Sequence, residues 1–140
     1  MYFDEDLVLD LRLNYLDKFV DKFIIVECSY NHKGEKRIPQ FNLDKFSKFK
    51  NKINYILINE DVPGLEKIDT NDANANSKYI LNAVKRENFQ RNSISLGLKG
   101  ANKEDYIMIS DIDEIPNLEN NNIREINKKL IFFKQKIFYY

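Results

Sequence analysis

Three short apolar runs do most to limit what this chain can fold into: KFIIVEC at 22–28, NYILINE at 54–60 and DYIMISD at 105–111. Each is long enough for a buried strand and too short for a core helix. The stretches between them are mostly helical in pattern. DLVLDLRLNYLDKFV, 6–20, reads two ways. Leu7, Leu9, Leu11 and Leu13 alternate like a strand, while Leu9, Leu13, Leu16 and Val20 recur at helical spacing. Its length, its leucines and Asp4 or Asp6 as N-cap favour the helix.

A short basic helix is predicted over 43–53 and a longer one over 77–98, with Ile80, Val84, Arg91, Ile94 and Leu98 on one face. LENNNIREINKKL, 118–130, reads as a further helix and IFFKQKIFYY, 131–140, as a fourth strand. SYNHKGEKRIPQ, 29–40, and 61–77 are loops, rich in turn-forming residues. Helices alternating with buried strands predict an α/β domain with a mainly parallel sheet flanked by helices. Ligands of such sheets bind beyond the carboxyl ends of the strands. Glu27 and Asp111 each close a run, so both are expected there.

A chain of 140 residues suits one domain. Its 22 basic and 22 acidic residues cancel, which argues against a nucleic-acid or membrane footprint. Cys28 is the single cysteine, so no internal disulfide and no cysteine-built zinc site is expected. No apolar run reaches transmembrane length, and the acidic start MYFDEDLVLD lacks the basic opening of a signal peptide. The expected location is the cytoplasm. The apolar end, Ile137 to Tyr140, suggests a chain that stops mid-fold.

The third run leads into MISDIDEIP, 108–116, where Asp111, Asp113 and Glu114 fall within four positions. Carboxylates so close repel one another, and a cation is the direct remedy. Oxygen ligands of this kind suit Mg²⁺ or Mn²⁺. Such a metal takes one or two protein carboxylates and leaves room for phosphate oxygens, whose charge it neutralises. Pro116 stiffens the exit from the turn. The bland alternative is a solvated acidic loop.

Three blocks in order, DEDLVLDLRLNYLDKFVDKFIIVECSYNHKGEKR, RENFQRNSISLGL and DYIMISDIDEIP, resemble glycosyltransferase family 17. That family includes the β-1,4-mannosyl-glycoprotein β-1,4-N-acetylglucosaminyltransferase. The resemblance runs from about residue 3 to 118. It implies a GT-A, Rossmann-like domain with a divalent metal on an Asp-x-Asp pair. It also implies transfer of N-acetylglucosamine from UDP-N-acetylglucosamine to a glycan acceptor, with inversion. Asp111 and Asp113 carry over as the pair, Asp113 on the metal and Asp111 on the metal-bound water or ribose. Family domains are roughly twice as long, so residues 1–140 correspond to the nucleotide-sugar-binding part. The acceptor-binding half and the catalytic base are then expected beyond Tyr140. The animal enzymes carry a membrane anchor, so the Golgi lumen is the alternative location.

Four further features belong to this reading. Glu87 and Arg91 stand one helical turn apart. They form either a surface pair or, because Arg91 shares a face with Val84 and Ile94, a donor-binding pair whose guanidinium forks a diphosphate. Glu27 either accepts hydrogen bonds from the nucleotide or ends its strand beside a lysine. His32, Lys33, Lys36 and Arg37 form a basic loop, solvated or covering the donor phosphates. Cys28 and Tyr30 read as packing residues, with stacking of Tyr30 on uracil as the alternative. Two other classes fit the acid cluster: a metal-dependent nucleotidyltransferase or phosphotransferase, and a non-catalytic nucleotide-binding module.

Overall fold

The computed structural model describes residues 1–136. Helix α1, Asp6–Leu16, buries Leu9, Leu13 and Leu16 and leaves Leu7 and Leu11 in solvent. The helical spacing therefore prevails over the strand-like alternation. Neither expected aspartate caps it. Glu5 holds the cap position without a side-chain bond to the helix, while Asp6 is engaged by the Tyr2 hydroxyl at 2.6 Å and by Lys45. The helix closes with the amides of Phe19 and Val20 both donating to the Leu16 carbonyl.

Strands β1, Phe23–Cys28, and β2, Ile53–Ile58, pair in parallel, with Phe23 opposite Ile53 and Cys28 opposite Ile58. A right-handed crossover is the rule for such pairs, and here it carries a 3-10 turn, Leu43–Phe49, in place of the basic helix expected over 43–53. The reason lies in the side chains. Phe46 and Phe49, three apart, both enter the core, and that spacing matches a three-residue turn. Asn42 starts it by accepting from the Asp44 amide at 2.9 Å. The core joins Leu9, Leu13, Leu16, Phe23, Ile25, Phe46, Phe49 and Leu118. Phe41 stacks on Tyr55 at 4.5 Å between centroids and on Phe46 at 5.7 Å.

Helix α2, Ala75–Asn92, continues into a 3-10 segment, Ser93–Leu98. Gly97 meets β1 so closely that a Cβ there would lie 2.6 Å from Ile24 Cγ2. No helix among the described residues is long and apolar enough to cross a membrane.

The sheet is smaller than expected. Residues 105–111 run extended but form no ladder. Odd residues of β1 point their backbone groups at β2, as Phe23 and Ser29 donate to Lys52 and Ile58. Even residues face the other edge, where a third strand would pair. That edge is taken in part by the chain start, since the Tyr2 amide donates to the Val26 carbonyl at 2.9 Å. A cavity of about 680 Å³ lies between β1 and 106–112.

The helix expected over 118–130 shrinks to one 3-10 turn, Ile123–Glu125. Side chains of Asn117, Asn121 and Asn122 bond locally and compete with helical bonding. Of the expected fourth strand, 131–136 form none, and 137–140 lie outside the described residues.

Candidate functional site

The loops leaving the carboxyl ends of β1 and β2 are built around buried charge. Glu27, at the end of β1, is 1% exposed. Its Oε1 accepts from Arg37 at 2.8 Å and the Gln40 amide at 2.7 Å; its Oε2 accepts from the Phe41 amide at 3.1 Å and the Tyr55 hydroxyl at 2.8 Å. A carboxylate offers about four lone-pair directions, and all are used within the protein. The partner expected to be a lysine is Arg37, which also donates to the Cys28 carbonyl and stacks 3.9 Å above the Phe3 ring. Burial and the bond to Glu27 both push the Tyr55 hydroxyl pKa up.

Helix α2 inverts the face its sequence suggests. Its buried residues are Asn82, Arg86 and Gln90, whereas Ile80, Leu81 and Val84 stand 45–66% exposed. The buried face packs on polar loop backbone, so it must bring polar groups to meet it. Asn82 bonds both backbone groups of Glu66 at 2.8 and 2.9 Å. Gln90 donates to the Tyr30 carbonyl at 3.3 Å. Arg86 grips Asp61 with two bonds, 2.8 and 2.7 Å, and reaches the His32 carbonyl. Its guanidinium covers Gly34, whose φ of +89° and lack of a Cβ make room for it. The pair holds the Asp61 carboxyl below its ordinary range and raises Arg86. The basic loop after β1 is thus tied down at Tyr30, His32 and Arg37, while His32, Lys33 and Lys36 are exposed.

The acid cluster forms a turn. The Glu114 amide donates to the Asp111 carbonyl at 3.2 Å, and the Asp111 amide donates to Glu114 Oε2 at 2.9 Å. Pro116 is buried beneath it. Arg91 reaches across from α2, 3.1 Å from Glu87 and 3.3 Å from Asp111 Oδ1. On the other side Arg12 of α1 donates to the carbonyls of Asp111 and Glu114, both at 2.9 Å, and to Ser110 Oγ at 2.6 Å. Burial lowers the Arg12 pKa, and Glu114, Asp113 and Asp111 oppose that shift.

Each carboxylate of the cluster therefore has a different standing. Asp111 faces Arg91, Glu114 caps its own turn, and the Asp113 carboxylate is exposed with no hydrogen bond among the described residues, its carbonyl alone accepting from the Ile115 amide. No three His, Cys, Asp or Glu side chains among the described residues converge into a ready-made metal cage. Asp113 and Asp111 could supply the one or two carboxylates that a hard divalent cation takes when other oxygen ligands provide the rest.

The structure brings Glu87, Arg91 and Asp111 together, with Asp113 on the same turn. Glu27 stands apart, consumed in the scaffold. Arg91 lies on the solvent face and is 45% exposed at its side chain, so the apolar stripe drawn through it is not a core face. Sequence reasoning missed Arg12, Arg86 and Asp61. Arg12 carries a readable signal, a cation wedged beside Leu9, Leu13 and Leu16 on the buried side of α1.

The chain matches the family model described as Glycosyltransferase family 17 over residues 1–134. No curated protein and no solved structure matches it. The matched stretch takes in the parallel sheet, the loops that Glu27 and Arg86 secure, and the whole acid turn. The family implies a sugar donor and a glycan acceptor. With nearly its full length covered, the chain belongs to glycosyltransferase family 17, and its chemistry is glycosyl transfer.

Proposed function

We propose that the chain binds a nucleoside-diphosphate sugar, UDP-N-acetylglucosamine, through Mn²⁺ or Mg²⁺ at Asp113 with Asp111, and serves its transfer to a glycan hydroxyl with inversion. The observation that carries this reading is the state of the acid turn. Among the described residues the Asp113 carboxylate has no partner and is exposed, while Arg91 spans Glu87 and Asp111 beside it. An exposed carboxylate is a ready metal ligand. A guanidinium weakly held between two acids is a ready diphosphate clamp, because its fork fits two phosphate oxygens. A cation held by Asp113 and Asp111 would neutralise charge on the departing diphosphate. Glu27 serves this site at one remove, by fixing the loop after β1.

Titration calorimetry with Mn²⁺ and UDP tests the reading. Asp113→Ala is expected to abolish metal-dependent binding, and Asp111→Ala to weaken it less. Unchanged affinity in Asp113→Ala overturns the metal assignment. Turnover of a UDP-sugar supports the donor class, whereas release from ATP or CTP with none from UDP-sugars overturns it.

A further inference from the structure

Three carboxylates in one turn need something to hold the backbone together before any metal arrives. Among the described residues two arginines hydrogen-bond to this turn, and they do so differently. Arg91 touches a side chain, Asp111, and both partners are about half exposed. Arg12 touches backbone. Its Nη1 donates to the carbonyls of Asp111 and Glu114 at 2.9 Å and approaches that of Ile112 at 3.4 Å, while Nη2 donates to Ser110 Oγ at 2.6 Å. One guanidinium thus reaches four residues of the turn, Ser110, Asp111, Ile112 and Glu114, and no carboxylate among the described residues. Its root is rigid, because Leu9, Leu13 and Leu16 on the same helix are all at most 2% exposed.

We propose that Arg12 is a positioning residue of this site. From α1 it gathers the carbonyls of Asp111 and Glu114 and fixes the turn in the form that leaves the Asp113 carboxylate free for a metal-bound diphosphate. The proposal rests on the reading of Asp113 given above. Two physical effects support it. The guanidinium places a positive charge behind three negative ones, offsetting their repulsion without neutralising any of them. Its planar fork also sets the spacing of two carbonyls and a hydroxyl at once, which a point charge does not. Arg12 itself touches neither metal nor donor.

The test uses the chain with Arg12→Ala and Arg12→Lys, read in two ways. In the ligand-free protein, amide exchange followed by NMR is expected to speed up at least tenfold at Glu114 and Ile115 in Arg12→Ala, with Ile25 and Glu27 of β1 unchanged. Calorimetry with Mn²⁺ and UDP is expected to show affinity lowered ten- to a hundredfold in Arg12→Ala. Arg12→Lys is expected to recover less than half of that loss on a logarithmic scale. If turn exchange is unaltered, Arg12 does not set the turn and the proposal fails. If Arg12→Ala speeds exchange throughout β1 as well, its role is general stability and the proposal also fails. Full recovery by lysine reduces the effect to charge and overturns the geometric claim. Should the parent chain itself bind no Mn²⁺ with UDP, the reading of Asp113 fails, and the exchange result still decides whether Arg12 orders the turn.

Discussion

At the scale of single residues, the charges of this protein divide into those spent on the scaffold and those left for chemistry. Glu27 belongs to the first group. Replacing it with alanine takes the acceptor from the Gln40 and Phe41 amides and from the Arg37 guanidinium, whose side chain is only 12% exposed. Breaking a buried ion pair from one side costs about 3–5 kcal/mol, and urea denaturation of Glu27→Ala is expected to show a loss in that range. Asp61 belongs there too and gives a pH dependence. Its pKa is depressed in the folded state by Arg86. The stabilisation is therefore complete above the unfolded value of about 3.9 and drains away as pH falls through the lower folded value. Denaturation midpoints from pH 5 down to pH 2.5 are expected to fall less steeply in Asp61→Asn than in the parent. Arg91 belongs to the second group. A charge-assisted hydrogen bond is worth roughly 1.5–3 kcal/mol, so Arg91→Ala is expected to weaken UDP binding by about ten- to a hundredfold. Arg91→Lys is expected to restore little, and uridine to bind variant and parent alike.

At the scale of elements, α2 shows why apolar spacing alone misplaces a helix. A helix buries whichever face its neighbour can satisfy. The neighbour here is loop backbone around Glu66, Asp61 and Tyr30, so asparagine, arginine and glutamine go in, and Ile80 and Val84 stay out. Substitutions on the two faces are expected to behave accordingly. Ile80→Lys should change stability by no more than about 0.5 kcal/mol, as a surface change does. Asn82→Leu removes a side chain only 3% exposed that pairs both backbone groups of Glu66, and should cost about 1–3 kcal/mol. Chemical denaturation of the pair of variants measures the contrast. The 3-10 continuation of α2 is constrained by packing: at Gly97 an added methyl meets Ile24.

At the scale of the whole molecule, the fold is a two-stranded parallel sheet with α1 and the Phe46–Phe49 turn on the core and α2 clasping the loops at its carboxyl end. The acid turn is held between α1 and α2, by Arg12 from one and Arg91 from the other. The two edges of β1 differ, and hydrogen exchange is expected to show it. The amides of Ile25 and Glu27 face β2 and should be among the slowest in the chain. That of Ile24 faces the cavity beside 106–112 and should exchange faster, though neighbouring in sequence. Equal protection at the three positions would mean that a further strand closes this edge in solution.

Local spacing in the sequence was enough for α1, β1 and β2, because each rests on apolar side chains packed at its own period: Leu9, Leu13 and Leu16 on one, Phe23 to Cys28 and Ile53 to Ile58 on the others. It also located the acid turn, because the three carboxylates and the proline stand together in the sequence, and it carried the resemblance that the family match bears out. The remaining elements depended on partners distant in the chain. Residues 105–111 have the composition of a strand but form no ladder, and the edge of β1 they would join is taken in part by the Tyr2 amide on the Val26 carbonyl. The face of α2 was decided by polar loops that no periodicity within the helix reveals. The allegiance of Glu27, consumed by Arg37, Gln40, Phe41 and Tyr55, and that of Arg12, turned onto carbonyls a hundred residues away, were likewise set by tertiary structure. A charge has no periodicity: its role follows from what the fold places within about 3 Å of it, and only the assembled molecule specifies that.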